Sequence, residues 1–262
     1  MKEQCPISDS GAIFLTGASG LVGGLLLRRL SEQMPSNIIF ALSRSSNRIP
    51  RLPNTHAISG DICKPGLGLD RDLYSLLCES VGTIIHCAAS TKFTLPLEHS
   101  RKANVNGTRN ILDLACRAKR LKLLLHVSTV YIAGQKSGVL CEARFTDPGG
   151  WFSAYEQSKF EAEELLHVHG TGVPWIIARL STIVGNSQTG KTSQFNYFHQ
   201  LVRLVPHNRF PIMPGAPDAP VDVIPDDWAT EALEAILGRK HQYGRTFTCA
   251  PAPRRLCRPR RS

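Results

Sequence analysis

The sequence predicts an α/β protein built on a doubly wound parallel sheet, and three observations predict it. Short apolar runs rich in β-branched residues alternate with longer segments of helical period, which is how successive βαβ units read along a chain. A glycine-rich turn, TGASGLVG at 16–23, joins the first such run to the first helical segment. Small or hydroxyl-bearing residues close the later runs, on the edge where a parallel sheet opens its ligand crevice.

Taken in order, a first strand at 12–16 feeds a helix at 21–32. A second strand at 38–42 ends in SRSS, and a shorter one at 56–58 stops before Gly60 and Asp61. The fourth, at 83–87 in GTIIHCAA, leads to a long helix at 99–119. A fifth strand at 121–128, a helix opened by Ser153 or Ala154 and running to His167, and a sixth strand at 175–179 after Pro174 complete the pattern. Six strands with intervening helices make residues 1–185 a Rossmann-type nucleotide-binding domain. Beyond Gly185, prolines at 206, 211, 214, 217, 220 and 225 interrupt regular structure. Residues 186–252 are therefore read as a small substrate-binding region of loops and short elements, interleaved with the core and covering a crevice. The Pro- and Arg-rich tail, 253–262, is too polar to pack and is expected to be disordered.

Composition narrows the function class. The chain of 262 residues is 42% hydrophobic, ample for a sizeable core. The net charge of +10 invites a nucleic-acid reading. Arginines 254, 255, 258, 260 and 261 supply five of those charges, so a moderately basic enzyme with a basic tail is expected, and no nucleic-acid partner. The N-terminus lacks an apolar targeting core and no apolar run is long enough to span a bilayer, so a soluble cytoplasmic protein is expected. Eight cysteines without CxxC or zinc spacing read as reduced, mostly buried thiols, and no metal site is expected.

Two features carry the chemistry. Gly17, Gly20 and Gly23 follow a strand and open a helix, so backbone N–H groups and the positive helix end can meet a pyrophosphate. Thr16, Ser19, Leu21 and Val22 complete that contact. Half a chain away, Tyr155 and Lys159 are spaced to share one face of a helix, where a phenol and an ammonium serve proton transfer beside a nicotinamide. The reading has Lys159, cofactor charge and burial together lowering the tyrosine pKa from about 10.

Other residues refine the site. No carboxylate occurs between Ser36 and Arg51, where an acid would bind the adenosine ribose, and Arg44 stands there to pair with a 2′-phosphate. The cofactor is therefore read as NADPH. Asp61, with Ile62 beside it, follows the third strand and either accepts from the adenine amino group or serves the turn. Cys87, Ala88 and Ala89 end the fourth strand with small residues that admit a cofactor, while His86 and Cys87 read as buried strand-end side chains rather than reactants. Ser128 and Thr129 end the fifth strand, where a hydroxyl either donates to a substrate carbonyl or caps a turn.

Taken together, TGASGLVG, GDI at 60–62, HCAA at 86–89, NVNGT at 104–108, VSTVY at 127–131 and YEQSK at 155–159 resemble the extended short-chain dehydrogenase/reductases over residues 12–252. Within them, GDICKPGLGL, HVSTVYIAG, ARLSTIVGNSQTGK and VDVIPDDWA look closest to thioester reductase domains and fatty acyl-CoA reductases, the male sterility-type group. The resemblance implies Thr129 as the catalytic hydroxyl, Tyr155 as proton donor, and Lys159 as ligand of the nicotinamide ribose that also tunes the tyrosine. It supports Arg44 at the 2′-phosphate, makes Asn104 an organiser of helix and active site, and sets Leu180 and the residues to 184 beside the nicotinamide. It also implies a truncated substrate lobe, because FTCAPAP passes directly into the arginine-rich tail.

The activity so implied is NADPH-dependent reduction of an acyl thioester, on coenzyme A or an acyl carrier protein, to an aldehyde or alcohol. A homodimer is allowed by the resemblance alone. Two rivals stand beside it: a nucleotide-sugar epimerase or dehydratase, or ketone or aldehyde reductase, using the same residues; and a cofactor-binding protein without turnover.

Overall fold

The computed structural model describes residues 11–136, 138, 140–204, 221–239 and 242–251. In chain order the elements are β1 (Ala12–Thr16), α1 (Leu21–Gln33), β2 (Ile39–Ser43), β3 (Thr55–Ser59), α2 (Arg71–Ser80) and β4 (Val81–His86). Then come α3 (Leu97–Arg101), α4 (Gly107–Arg117), β5 (Leu123–Thr129), α5 (Ala154–His169), β6 (Trp175–Leu180) and β7 (Thr182–Ile183). Last are α6 (Tyr197–Leu204), β8 (Val223–Ile224), α7 (Asp226–Leu237) and β9 (Arg245–Cys249). The main sheet is parallel with order β3-β2-β1-β4-β5-β6-β9, and β7 and β8 pair in a separate two-stranded ladder.

Each central strand is buried on both sides, so its residues alternate between two cores rather than between core and solvent. Ile13 and Leu15 of β1 pack toward Leu26, Leu27 and Leu30 of α1 and Leu233 and Ile236 of α7. Phe14 packs the other way with Ile84, Ile111, Leu114, Leu165 and Leu166. Arg29 of α1 joins the first layer by donating from Nε and Nη2 to the Glu234 carboxylate of α7 at 2.8 and 2.7 Å.

Each expected strand is present within a residue or two. The expected long helix at 99–119 is α3 and α4 joined by a π-helical turn at Lys102–Asn106. Two parts of the sheet layer were not read from the sequence. The helix α2 begins where Asp70 Oδ1 accepts from Leu73 N at 2.8 Å. The strand β9 extends the sheet beyond β6, so six expected strands become seven, and α7 and β9 come from the stretch read as loops and short elements. The thiols also differ from expectation: Cys63, Cys116 and Cys141 are exposed, and Cys78, Cys87 and Cys249 are half-buried. All six are free.

The tail 253–262 and the prolines from 206 to 220 lie outside the described residues. Among the described residues no helix is long and apolar enough to cross a membrane.

Candidate active site

Strand order reverses between β1 and β4, and the crevice at such a switch point is where doubly wound sheets bind ligands. The glycine turn sits at its mouth. Gly17 has φ +75°, and a Cβ there would stand 2.7 Å from Ala88 N, so this turn and the end of β4 approach closer than any side chain allows. A Cβ on Gly23 would lie 2.3 Å from Gly17 O, which seats α1 directly under the turn. Gly20 caps α1 without a side-chain hydrogen bond, and the first turn carries no acid. Its N–H groups and positive end therefore suit a diphosphate, and a nicotinamide dinucleotide fits this cradle.

Other expected cofactor residues lie at or just beyond the carboxyl ends of β2, β3 and β6. Ser19 Oγ lies 3.1 Å from Ser43 Oγ at the end of β2, and exposed Arg44 follows immediately. Asp61 Oδ1 accepts from Cys63 N at 2.9 Å, so the carboxylate serves the turn after β3. Buried Ile62 lies under α4, where a Cβ on Gly107 would meet its Cδ1 at 2.7 Å. Leu180 ends β6 opposite Thr129 in register.

A buried polar chain fixes the end of β4. Thr16 Oγ1 is 2.8 Å from His86 Nδ1 and accepts from Ala88 N at 3.2 Å. His86 Nε2 meets Thr108 Oγ1 at 3.2 Å, and that hydroxyl donates to Asn104 O at 2.6 Å. The only consistent assignment has Nε2 protonated and Nδ1 accepting from Thr16. Burial, assisted by the Lys159 charge, holds the His86 pKa down at about 3, so the ring is a neutral strut. Burial pushes the Cys87 thiol up to about 12, which leaves it unreactive. Both residues thus behave as strand-end side chains.

Asn104 organises the other wall. Its Oδ1 accepts from Ser90 N at 2.7 Å, and its Nδ2 donates to Ser90 O at 3.1 Å and Ser158 Oγ at 2.8 Å. One buried amide, carried on the π-turn, thereby ties the loop after β4 to α5. That helix starts at Ser153, whose Oγ accepts from Glu156 N at 3.3 Å, while Glu156 Oε2 accepts from Phe152 N at 2.9 Å. This reciprocal cap sets the first turn, and Tyr155 lies in it.

The Thr129 hydroxyl lies near enough to the Tyr155 phenol to favour its ionised form, and Thr129 Oγ1 accepts from Tyr131 N at 3.3 Å. The neighbouring Ser128 hydroxyl is buried without a partner among the described residues. Lys159 differs from the expected arrangement: its Nζ donates to Val127 O at 2.8 Å and approaches His126 Nε2 at 3.2 Å. The tyrosine pKa is correspondingly not lowered. Burial disfavours the phenolate and pushes it up to about 12, with the Thr129 hydroxyl offsetting part of the rise. Burial draws Lys159 down to about 8, opposed by Glu163 and Cys87.

Three further features were not read from the sequence. Phe93 lies 5.2 Å from the Tyr155 ring, 6.0 Å from Tyr131 and 5.7 Å from Tyr197, forming an aromatic mouth beside the phenol. Gln194 Nε2 donates to Ser19 O at 3.1 Å, bringing the segment after β7 onto the glycine turn. His126 touches Lys159, as described above. Only His126 carried a local signal, a lone polar residue inside the run LLLHV.

Comparison with known proteins identifies the family and the fold. The family model described as male sterility protein matches residues 15–233. The nonribosomal peptide synthetase asaC of Aspergillus flavus is 29% identical over 93% of this chain, which spans 26% of that protein's length. The terminal R domain of the myxalamid PKS-NRPS pathway superposes with a TM-score of 0.84 at 30% identity, over 94% of this chain and 67% of that one. UDP-glucuronic acid 4-epimerase from Bacillus cereus, solved with NAD, gives 0.72 at 21% identity over 92% and 79%, a likeness of fold alone.

Proposed function

Because the chain belongs to the male sterility protein family of extended short-chain dehydrogenase/reductases, we propose that it is an NADPH-dependent reductase of acyl thioesters carried on coenzyme A or an acyl carrier protein. Arg44 supports NADPH over NADH: it follows β2 with no carboxylate between Ser36 and Arg51 to repel a 2′-phosphate. Likeness to a peptide synthetase and a PKS-NRPS R domain supports a carrier-bound substrate.

When bound, the nicotinamide supplies a hydride to the thioester carbonyl carbon. Thr129 and Tyr155 hold the carbonyl oxygen as it gains negative charge. A tyrosine with its pKa near 12 stays protonated at neutral pH, so Tyr155 gives its proton to that oxygen and a hemithioacetal results. Collapse re-forms the carbonyl, breaks the carbon–sulfur bond, and passes the hydroxyl proton to the departing thiolate. The products are an aldehyde and a free thiol. Lys159 binds the nicotinamide ribose from a position fixed by β5, and Asn104 keeps α5 in place.

The observation that carries this reading is the Thr129 hydroxyl near the Tyr155 phenol at the carboxyl edge of β5, in a sheet whose glycine turn opens α1 without a side-chain cap. The experiment follows NADPH absorbance with acyl-CoAs, carrier-bound acyl groups, aldehydes and sugar nucleotides. Thioester-dependent oxidation with one thiol released per aldehyde supports it. Turnover of a sugar nucleotide with retained NAD favours the epimerase reading, and cofactor binding without turnover favours a binding protein.

A further inference from the structure

Strand β5 reads LLLHVST, and one imidazole, His126, interrupts its apolar run while only 1% exposed. A leucine would satisfy that position without desolvating two ring nitrogens. Only one of those nitrogens has a partner among the described residues: Nε2 lies 3.2 Å from Lys159 Nζ, and Nδ1 has none. An ammonium has three donors and no lone pair, so Nε2 is the acceptor and the ring proton sits on Nδ1.

The rest of the environment fixes this contact. Lys159 gives a second N–H to Val127 O at 2.8 Å, so two of its three donors are held by adjacent residues of one strand. His86 is the register partner of His126 on β4, with ring centroids 5.3 Å apart. It is locked by Thr16 and Thr108 at its two nitrogens and buttresses the neighbouring ring.

We infer that His126 is a positioning residue of the reductase site: its Nε2 and the Val127 carbonyl hold the Lys159 ammonium, leaving the third N–H for the cofactor ribose. This rests on the reading of Lys159 as the ribose ligand.

The ammonium acts on the ring: after burial, the Lys159 charge helps hold the His126 pKa well below its ordinary value. Around the ammonium stand His126 and His86 from the sheet, Cys87 at the end of β4, and Tyr155 and Glu163 one turn away on α5. Glu163 is itself paired with Arg179 of β6. Burial lowers the Lys159 pKa, with Glu163 and Cys87 opposing. An acceptor at Nε2 stabilises the ammonium more than the neutral amine, so removing it lowers that pKa further.

The test uses the full chain. Nitrogen NMR of the cofactor-free protein at neutral pH reads which His126 nitrogen is protonated, and Nδ1 is expected. Carbon NMR of the lysine Cε then titrates Lys159 in wild type, His126→Phe and His126→Gln. Phe keeps a ring against His86 but no acceptor, and is expected to lower the midpoint by about one pH unit or more and weaken NADPH binding roughly tenfold. Gln, whose Oε1 accepts, restores most of both. A proton on Nε2, or a folded His126→Phe with unchanged midpoint and NADPH affinity, overturns the inference, and the tautomer reading needs no variant. Lys159→Met with unchanged NADPH affinity overturns the underlying reading of Lys159 instead, whatever His126 does.

Discussion

Arg179 of β6 and Glu163 of α5 form a fully buried ion pair, Nη2 donating to Oε2 at 2.7 Å and Nε reaching both carboxylate oxygens at 3.1 Å. Two further donors reach backbone carbonyls: Nη1 gives to Cys141 O and Nη2 to Ala143 O, each at 3.0 Å. One guanidinium therefore joins the sheet, the helix bearing Tyr155 and Lys159, and the loop between β5 and α5. Removing one partner of such a pair leaves an uncompensated buried charge. Arg179→Met is expected to cost about 3–5 kcal/mol of stability, read as a lower urea midpoint. Replacing both partners by apolar residues recovers most of it, and a double variant as unstable as the single one would contradict this.

Gly17→Ala tests the cradle. The new Cβ would meet Ala88 N at 2.7 Å in a backbone with φ +75°, so the turn must open. The expected outcome is loss of NADPH binding by at least a hundredfold, about 2.7 kcal/mol, with the fold retained by far-ultraviolet circular dichroism. Calorimetric titration measures it.

Arg44→Ala is expected to weaken NADPH roughly tenfold or more and leave NADH within about twofold, since a charge-assisted contact to one phosphate is lost. Fluorescence titration with both cofactors gives the ratio. A wild-type preference for NADH, or an unchanged ratio in the variant, speaks against Arg44 as the phosphate ligand.

Acid sensitivity follows from the buried rings. His86 has its folded pKa near 3 against a free value of 6.5, so the unfolded chain binds the extra proton between those limits. The stability this group contributes is present above pH 6.5 and is lost as pH falls toward 3. For one proton the folded-to-unfolded ratio drops roughly tenfold per pH unit in that window. Lys159, drawn down to about 8, works in the same sense at the other end: stability rises with pH from 8 toward 10.5. Urea midpoints from pH 7 to 4 should fall more gently in His86→Gln than in wild type.

Much of this was legible in sequence, for identifiable reasons. The parallel sheet showed because strands such as AIFLT and VGTIIH are buried throughout and stand out as mostly apolar runs. Gly17 and Gly23 showed because a turn this tight excludes Cβ atoms. The π-turn that presents Asn104 did not, since KANVN has ordinary helical composition and only tertiary hydrogen bonds to Ser90 and Ser158 single it out. Strand β9, RTFTC, was hidden by its polar alternation at the sheet edge. The raised Tyr155 pKa of the cofactor-free protein was not legible, because i,i+4 spacing says only that two residues share a face, whereas Lys159 turns toward Val127 and His126.

The most direct measurement is the initial rate of NADPH oxidation with an acyl thioester, in wild type and Tyr155→Phe side by side. The predicted result is thioester-dependent oxidation that falls about 10²–10⁴-fold in the variant, as for loss of a positioned acid, while NADPH affinity stays within a few-fold. Oxidation that persists at the wild-type rate in Tyr155→Phe, or no oxidation with any acyl thioester, would contradict it.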